Sequence, residues 1–183
     1  MAEVLSLSNS DERSVAGPIE VRVWIRLLAN ANIVLRHLRR TLHGEFGVTM
    51  PAFDLLAQVS RPPEGPTMSE LSQRLMVSKG NVTDLVERME GKGLVQRHPD
   101  PGDGRVQHVH LTPAGRALLA RMLPVHRRCL EGLMAGMDEA TMGQLHHILG
   151  TLKTTLAANT AITKRPHGAL RSQPPVQEQE QIP

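Results

Sequence analysis

Few side chains in this sequence could do chemistry, and their spacing excludes most of it. His146 and His147 are neighbours on an expected helix, where adjacent side chains diverge and cannot both turn to one ion. His108 and His110 share a face of an expected strand and would bind a metal only with a third ligand. The single cysteine, Cys129, stands among Arg127, Arg128 and Glu131, where nearby cations favour a thiolate. No glycine-rich phosphate loop, nucleophile elbow or His-Glu-x-x-His stretch occurs, so no enzyme, cofactor or metal is expected. What remains is arginine. The segment HPDPGDGRVQHVHLTPAG, residues 98–115, hangs Arg105 on a turn-rich loop between two short alternating runs. Asp103, two positions earlier, is spaced to hold that guanidinium by a charge-assisted hydrogen bond.

These residues need elements to position them. Trp24, Leu28, Ala31, Leu35, Leu38 and Leu42 step by three and four, which predicts a long helix ended by Gly44 and Gly47. TMPAFDLLAQVSR follows as a second helix, with Thr49 as N-cap and Phe53, Leu56 and Val59 inward. Thr67 and Glu70 form a capping box for a short helix, SELSQRLM. After a break at Val77, Ser78 caps another, KGNVTDLVERMEGKG, with Val82, Leu85, Val86 and Met89 on one face. Two short helices across so tight a turn make a helix-turn-helix pattern. LVQRH and QHVHL read as strands, with Val109 and Leu111 opposite His108 and His110. Thr112 and Pro113 open a long helix that continues through Pro124. The last helix opens at Asp138 and Glu139 and carries a seam of Met142, Leu145, Leu149, Leu152 and Leu156.

Composition agrees with a small helical protein. Of 183 residues 40% are apolar but only 2% aromatic, so Leu, Val, Ile and Met must fill the core. The net charge of +3 permits a nucleic-acid partner without requiring one, but its distribution is uneven. Five arginines and no acid lie between Arg22 and Arg40; six arginines against two aspartates lie between Arg97 and Arg128. One cysteine fits a reducing cytosol, and with no leader pattern or long apolar run a cytoplasmic location without membrane contact is expected. Residues 1–17 read as a flexible arm, and the Pro- and Gln-rich residues 159–183 as a disordered tail.

Helix, helix, helix-turn-helix, hairpin, helix, helix describes a winged helix flanked by long terminal helices. SELSQRLMVSKGNVTDLVERMEGKGLVQRHPDPGDGRVQHVHLTPAG resembles the MarR family of transcriptional regulators, and the resemblance extends over about residues 20–158. It implies a mainly α fold with a small β-hairpin. The MarR-type domain would span 18–158, its winged helix about 48–115, and its dimerisation helices about 18–43 and 113–158. Both terminal seams need an apolar partner, and the resemblance implies a second copy of the chain. Two recognition helices would then read a pseudo-palindromic operator in double-stranded DNA.

On the recognition helix Ser78, Lys79, Gly80, Asn81, Thr83, Asp84, Glu87 and Arg88 point outward. Asn81 suits adenine, Thr83 a hydrogen bond or a thymine methyl, and Lys79 guanine or phosphate. Asp84 stands where many relatives carry Arg. It either accepts from cytosine or adenine amino groups or pairs with Arg88 one turn on. Ser69, Ser72 and Gln73 are candidates for phosphate. The resemblance implies that Arg105 enters the minor groove; Gly104 departs from the family's Asp-Arg-Arg and removes a second wing contact.

The resemblance further implies a repressor released by a small-molecule effector, a small anionic aromatic ligand or its CoA thioester. Trp24, His37, Arg40, Met50 and Phe53 are the candidate effector residues, because the first two helices supply that junction. Arg36, Arg39 and Arg40 could attract a carboxylate, or form a plain basic face. The family's peroxide sensors place a reactive cysteine near the N-terminal helix beside tyrosines, and this chain has no tyrosine. A redox- or metal-responsive regulator, and a helical adaptor that binds no DNA, are the competing readings.

Overall fold

The computed structural model describes residues 17–163 apart from 62 and 64. In chain order its elements are α1 (Ile19–Phe46), α2 (Met50–Val59), α3 (Met68–Leu75), α4 (Lys79–Gly91), β1 (Val95–Pro99), β2 (Gln107–Leu111), α5 (Pro113–Leu133) and α6 (Glu139–Thr163). The chain divides into a unit ending at Ala135, which holds everything through α5, and a second from Gly136, which holds α6. The fold is the expected one, mainly α with one two-stranded antiparallel hairpin. In its register Val95 faces Leu111 and His98 faces His108. No helix among the described residues is long and apolar enough to cross a membrane.

Caps explain most boundaries. Gly44 lies inside α1; the stop is Gly47, whose left-handed backbone (φ 65°) returns its N–H to the His43 carbonyl while the next N–H, of Val48, reaches the Leu42 carbonyl. Thr67 and Glu70 complete the capping box, the Thr67 hydroxyl accepting from the Glu70 N–H at 3.2 Å. Because Thr67 donates in return, Glu70 is held below the usual carboxylate range, by the Thr67 backbone N–H above all. Ser78 caps α4 and Thr112 caps α5, each accepting the amide three residues on. Thr49 stands at the N-cap of α2 but makes no side-chain cap hydrogen bond.

The core of the first unit gathers Leu38 and Leu42 of α1, Phe53, Leu55, Leu56 and Val59 of α2, and Leu71 of α3. Val82, Val86 and Met89 of α4, Val109 of the hairpin, and Leu119 and Met122 of α5 complete it. The earlier turns of α1 stay outside it: Ile19 and Trp24 are each 60% exposed. In the second unit Asp138 accepts the Thr141 N–H at 2.7 Å and starts α6. This helix runs to Thr163, past the expected start of a disordered tail at 159. The Pro- and Gln-rich composition further on hid the helix-compatible run AANTAIT, where the Thr160 hydroxyl donates to the Leu156 carbonyl at 2.8 Å. Residues 1–16 of the expected arm and 164–183 of the expected tail lie outside the described residues.

Gly115 is where α5 meets the strand entering the hairpin. A Cβ there would overlap the carbonyl oxygen of Leu94, whereas one on Gly44 meets open space. Gly115→Ala is expected to lower unfolding stability by about 1–3 kcal/mol through forced displacement. Gly44→Ala, in a helix interior, is expected to raise it by about 0.5–1 kcal/mol. Chemical denaturation of both variants checks the pair.

Candidate nucleic-acid interface

Three hydrogen bonds hold the turn between α3 and α4. Met76, in a left-handed conformation (φ 54°), returns its N–H to the Gln73 carbonyl. The Val77 N–H donates to the Ser72 carbonyl, and the Ser72 hydroxyl donates to the Val77 carbonyl at 2.7 Å. Ser72 is therefore a strut of the turn, while Ser69 and Gln73 stand exposed at the start and middle of α3. With Val82, Leu85, Val86 and Met89 buried, α4 presents Ser78, Lys79, Gly80, Asn81, Asp84 and Arg88 to solvent. Thr83 is half-buried, and its hydroxyl donates to the Lys79 carbonyl at 3.0 Å, leaving a lone pair and a methyl. Gly80, Asp84 and Glu87 recur about one turn apart and run down the middle of the exposed side. No ion pair joins Asp84 to Arg88 among the described residues.

The wing loop is tied at every level. The Asp100 N–H donates to the Val106 carbonyl and the Val106 N–H to the Asp103 carbonyl, each at 2.9 Å. Asp100 Oδ1 accepts the amides of Gly102 (2.8 Å) and Asp103 (3.1 Å). Asp103 differs from its expected role: its carboxylate takes the backbone N–H of Arg105 at 3.0 Å, not the guanidinium. Two residues back, an Asp side chain reaches the amide more readily than the end of a long side chain, the ordinary Asx-turn geometry. Arg105 is exposed, and no carboxylate pairs with its guanidinium among the described residues.

Two connections absent from the sequence reading join this hairpin to the helices. Glu90 of α4 accepts both the backbone N–H of Arg97 (3.1 Å) and its guanidinium (2.9 and 2.7 Å). The Arg97 side-chain hydrogen bond, ahead of its other contributions, holds the Glu90 carboxyl below the usual range. The Thr112 hydroxyl donates to the Gly93 carbonyl at 2.6 Å, closing the exit of α4 onto the start of α5. Both could have been suspected from Glu-x6-Arg and Gly-x18-Thr only with the hairpin register already in hand.

Of the residues expected to gather around an effector, Arg40 and Met50 meet at one groove, whose lining does not include Trp24, His37 or Phe53. An open groove of about 810 Å³ between the end of α1, the start of α2 and one side of α4 is lined by Arg40 and Met50. Arg39, Arg88 and Lys92 add cations around it and His43 an imidazole, over an apolar floor of Pro51, Leu85 and Met89, and no carboxylate is among the described residues that line it. Phe53 is instead buried, its ring stacked on His126 of α5 at 4.8 Å. Trp24 and His37 are exposed on α1, and Trp24 sits some sixteen residues, roughly 24 Å, before Arg40. Burial at the α2–α5 junction raises the Asp54 carboxyl, with His126 acting against it. Cys129 is half-buried with its sulfur 3.9 Å from the Thr41 hydroxyl, and both ring nitrogens of His108 are engaged.

Comparison with known proteins agrees with this geometry. Residues 46–106, from the end of α1 through β1 and the wing loop, match the model of the MarR family. A putative transcriptional regulatory protein for the hcr operon of Thauera aromatica is 29% identical over 80% of this chain and 86% of its own. The crystal structure of Streptococcus pneumoniae FabT in complex with DNA superposes with a TM-score of 0.65 at 27% identity, covering 76% of this chain and 98% of that one. Bordetella bronchiseptica BpsR, solved for the regulation of its DNA binding by 6-hydroxynicotinic acid, has the same fold at a TM-score of 0.65 and 21% identity, covering 72% of this chain and 98% of that one.

The Glu90–Arg97 link should be measurable by itself. Arg97→Met is expected to cost about 1 kcal/mol, since the pair is partly exposed. It should also speed hydrogen exchange of the 95–111 amides while leaving those of α2 unchanged. Denaturation and exchange measurements test this together.

Proposed function

The chain belongs to the MarR family of transcriptional regulators, and on that premise we propose that it is a cytoplasmic homodimeric repressor that binds a pseudo-palindromic DNA operator. The observation that carries the reading is the pairing of an exposed α4 face with an arginine held outward on a pre-ordered wing. Arg105 reaches the minor groove beside the major groove that receives α4. Asn81 reads adenine, while Lys79, Ser69, Gln73 and the Ser78 hydroxyl hold phosphates. Gly80, with open space around it, lets the backbone approach closely. Thr83 offers its methyl to thymine. Asp84 accepts from the amino edge of cytosine or adenine and rejects other contacts by its charge. Asp103 serves by ordering the Arg105 backbone.

The homodimer is supported by apolar side chains exposed on two helices. Ile19, Trp24 and Ile33 are 56–60% exposed on α1; Ile148 (62%) and Leu156 (55%) are exposed on α6. Covering such faces is what a second copy would supply. The groove beside α4 is the proposed effector site. Arg39, Arg40, Arg88 and Lys92 over Met50, Pro51 and Met89 suit an anion with an apolar body, an aromatic carboxylate or its CoA thioester. The regulation of BpsR by an aromatic acid supports that class. A ligand there bears on Leu85 and Met89 of α4 and releases DNA if it favours a helix separation that does not match successive major grooves.

Titration of labelled duplexes tests the DNA contacts. Arg105→Ala should weaken binding about tenfold across sequences, most on A·T-rich flanks, and Asn81→Ala should cost about 1–3 kcal/mol at particular base pairs. Two variants that bind like the parent protein would end this assignment. For the groove, Arg40→Ala should raise the concentration of phenolic carboxylate or thioester needed for DNA release by about tenfold. Unchanged release would move the effector elsewhere.

A further inference from the structure

His108 occupies an unusual place at the base of the wing. Its Nδ1 lies 2.6 Å from the carbonyl oxygen of Gly65, and its Nε2 lies 3.0 Å from Oδ2 of Asp100. A carbonyl and a carboxylate only accept, so both contacts are made only when each ring nitrogen carries a proton. A neutral ring donates to one and turns a lone pair toward the other. Gly65 cannot shift to accommodate this with any side chain of its own: its backbone is left-handed (φ 73°), and a Cβ would overlap the His110 ring.

The contacts continue toward the wing tip. Asp100, gripped through Oδ2 by His108, uses Oδ1 to hold the amides of Gly102 and Asp103. Asp103 in turn holds the amide of Arg105 at 3.0 Å. From a carbonyl just ahead of α3 to the backbone of Arg105 the hydrogen bonds follow one another, and His108 is the link whose proton is exchanged near neutral pH.

We propose that His108 is a positioning residue for the wing: its imidazolium ties the loop base to the helix-turn-helix, and loss of that proton loosens the grip of Arg105 on DNA. The inference rests on the reading of Arg105 as a DNA contact. The Gly65 carbonyl first, then Asp100, raise the proton affinity of the ring, with Glu70 of α3 adding a favourable charge. His98 stands across the strand pair and meets the His110 ring edge-on at 5.4 Å; protonation of either opposes a charge on His108. Asp100 is held below the usual range, by the Gly102 N–H foremost. The sign follows. The tether is fully present below the ordinary imidazole value of 6.5 and is lost as pH rises through the higher folded value. Asp100 would let go only on the acid side, below 3.8.

The test uses the full chain and a labelled duplex that it enriches from a random pool at neutral pH. Affinity is followed from about pH 6 to about pH 9 at fixed ionic strength, with the His108 titration read by nuclear magnetic resonance. The parent protein should lose about fivefold in affinity across the His108 titration. His108→Gln and Asp100→Asn should be weaker and flat there, and His98→Gln should keep the step. Arg105→Ala should lose it, because the proton acts through that side chain; a plain attraction of imidazolium for phosphate would leave it. A step that survives in His108→Gln or in Arg105→Ala overturns the proposal, as does a His108 titrating no higher than free imidazole. If no duplex is enriched, the DNA reading fails separately, and the His108 titration still decides whether the tether exists.

Discussion

The carboxylate of Glu90 holds the backbone N–H and the guanidinium of Arg97 at once, and so fixes the hairpin against the helix before it. The remainder of the proposed DNA-facing surface depends on this. A two-stranded hairpin is marginal by itself in water. Here it is held because its Val95, Val109 and Leu111 side chains are buried and because hydrogen bonds tie it and its ends to Glu90 of α4, to Gly93 just after α4 and to Gly65 just before α3. A small rotation at its root would be magnified at Arg105, the far end of the loop. A helix and a loop tip meet two neighbouring grooves at least cost when their separation is set before DNA arrives, since ordering them on contact would cost conformational entropy.

Charge is arranged with comparable economy. The middle line of the exposed α4 side carries Asp84 and Glu87, which phosphates repel, while cations stand to the flanks at Lys79 and Arg88. Such a face is poorly suited to indiscriminate attraction along duplex DNA and better suited to discriminating among base edges. On its other flank Arg88 belongs to the groove with Arg39, Arg40 and Lys92. One guanidinium thus borders both the surface that would meet DNA and the cavity that would hold a ligand.

Local features of the fold were legible in the sequence because they are written in neighbouring residues. Thr67 with Glu70, Ser78, and Thr112 with Pro113 announce their helices through side chains that reach three residues on, and alternation at Val109 and Leu111 marks the inner strand face. What escaped depends on partners distant in the chain. Nothing local in His108 foretells Gly65, forty-three residues earlier, and nothing in Gly115 foretells the Leu94 carbonyl against it. Phe53 was drawn toward a ligand site by its place on α2, but α5 supplies His126 to cover it. Asp103 shows the same limit within two residues: spacing marked it as a partner of Arg105 without deciding between backbone and guanidinium.

The lone tryptophan is an optical probe of its own surroundings. Trp24 is 60% exposed on α1, and the chain has no tyrosine to add emission of its own. An indole in water emits toward the red, and one covered by apolar side chains toward the blue. Whatever comes to cover that stretch of α1 will therefore be reported by a single intrinsic fluorophore, without a label and without a competing signal.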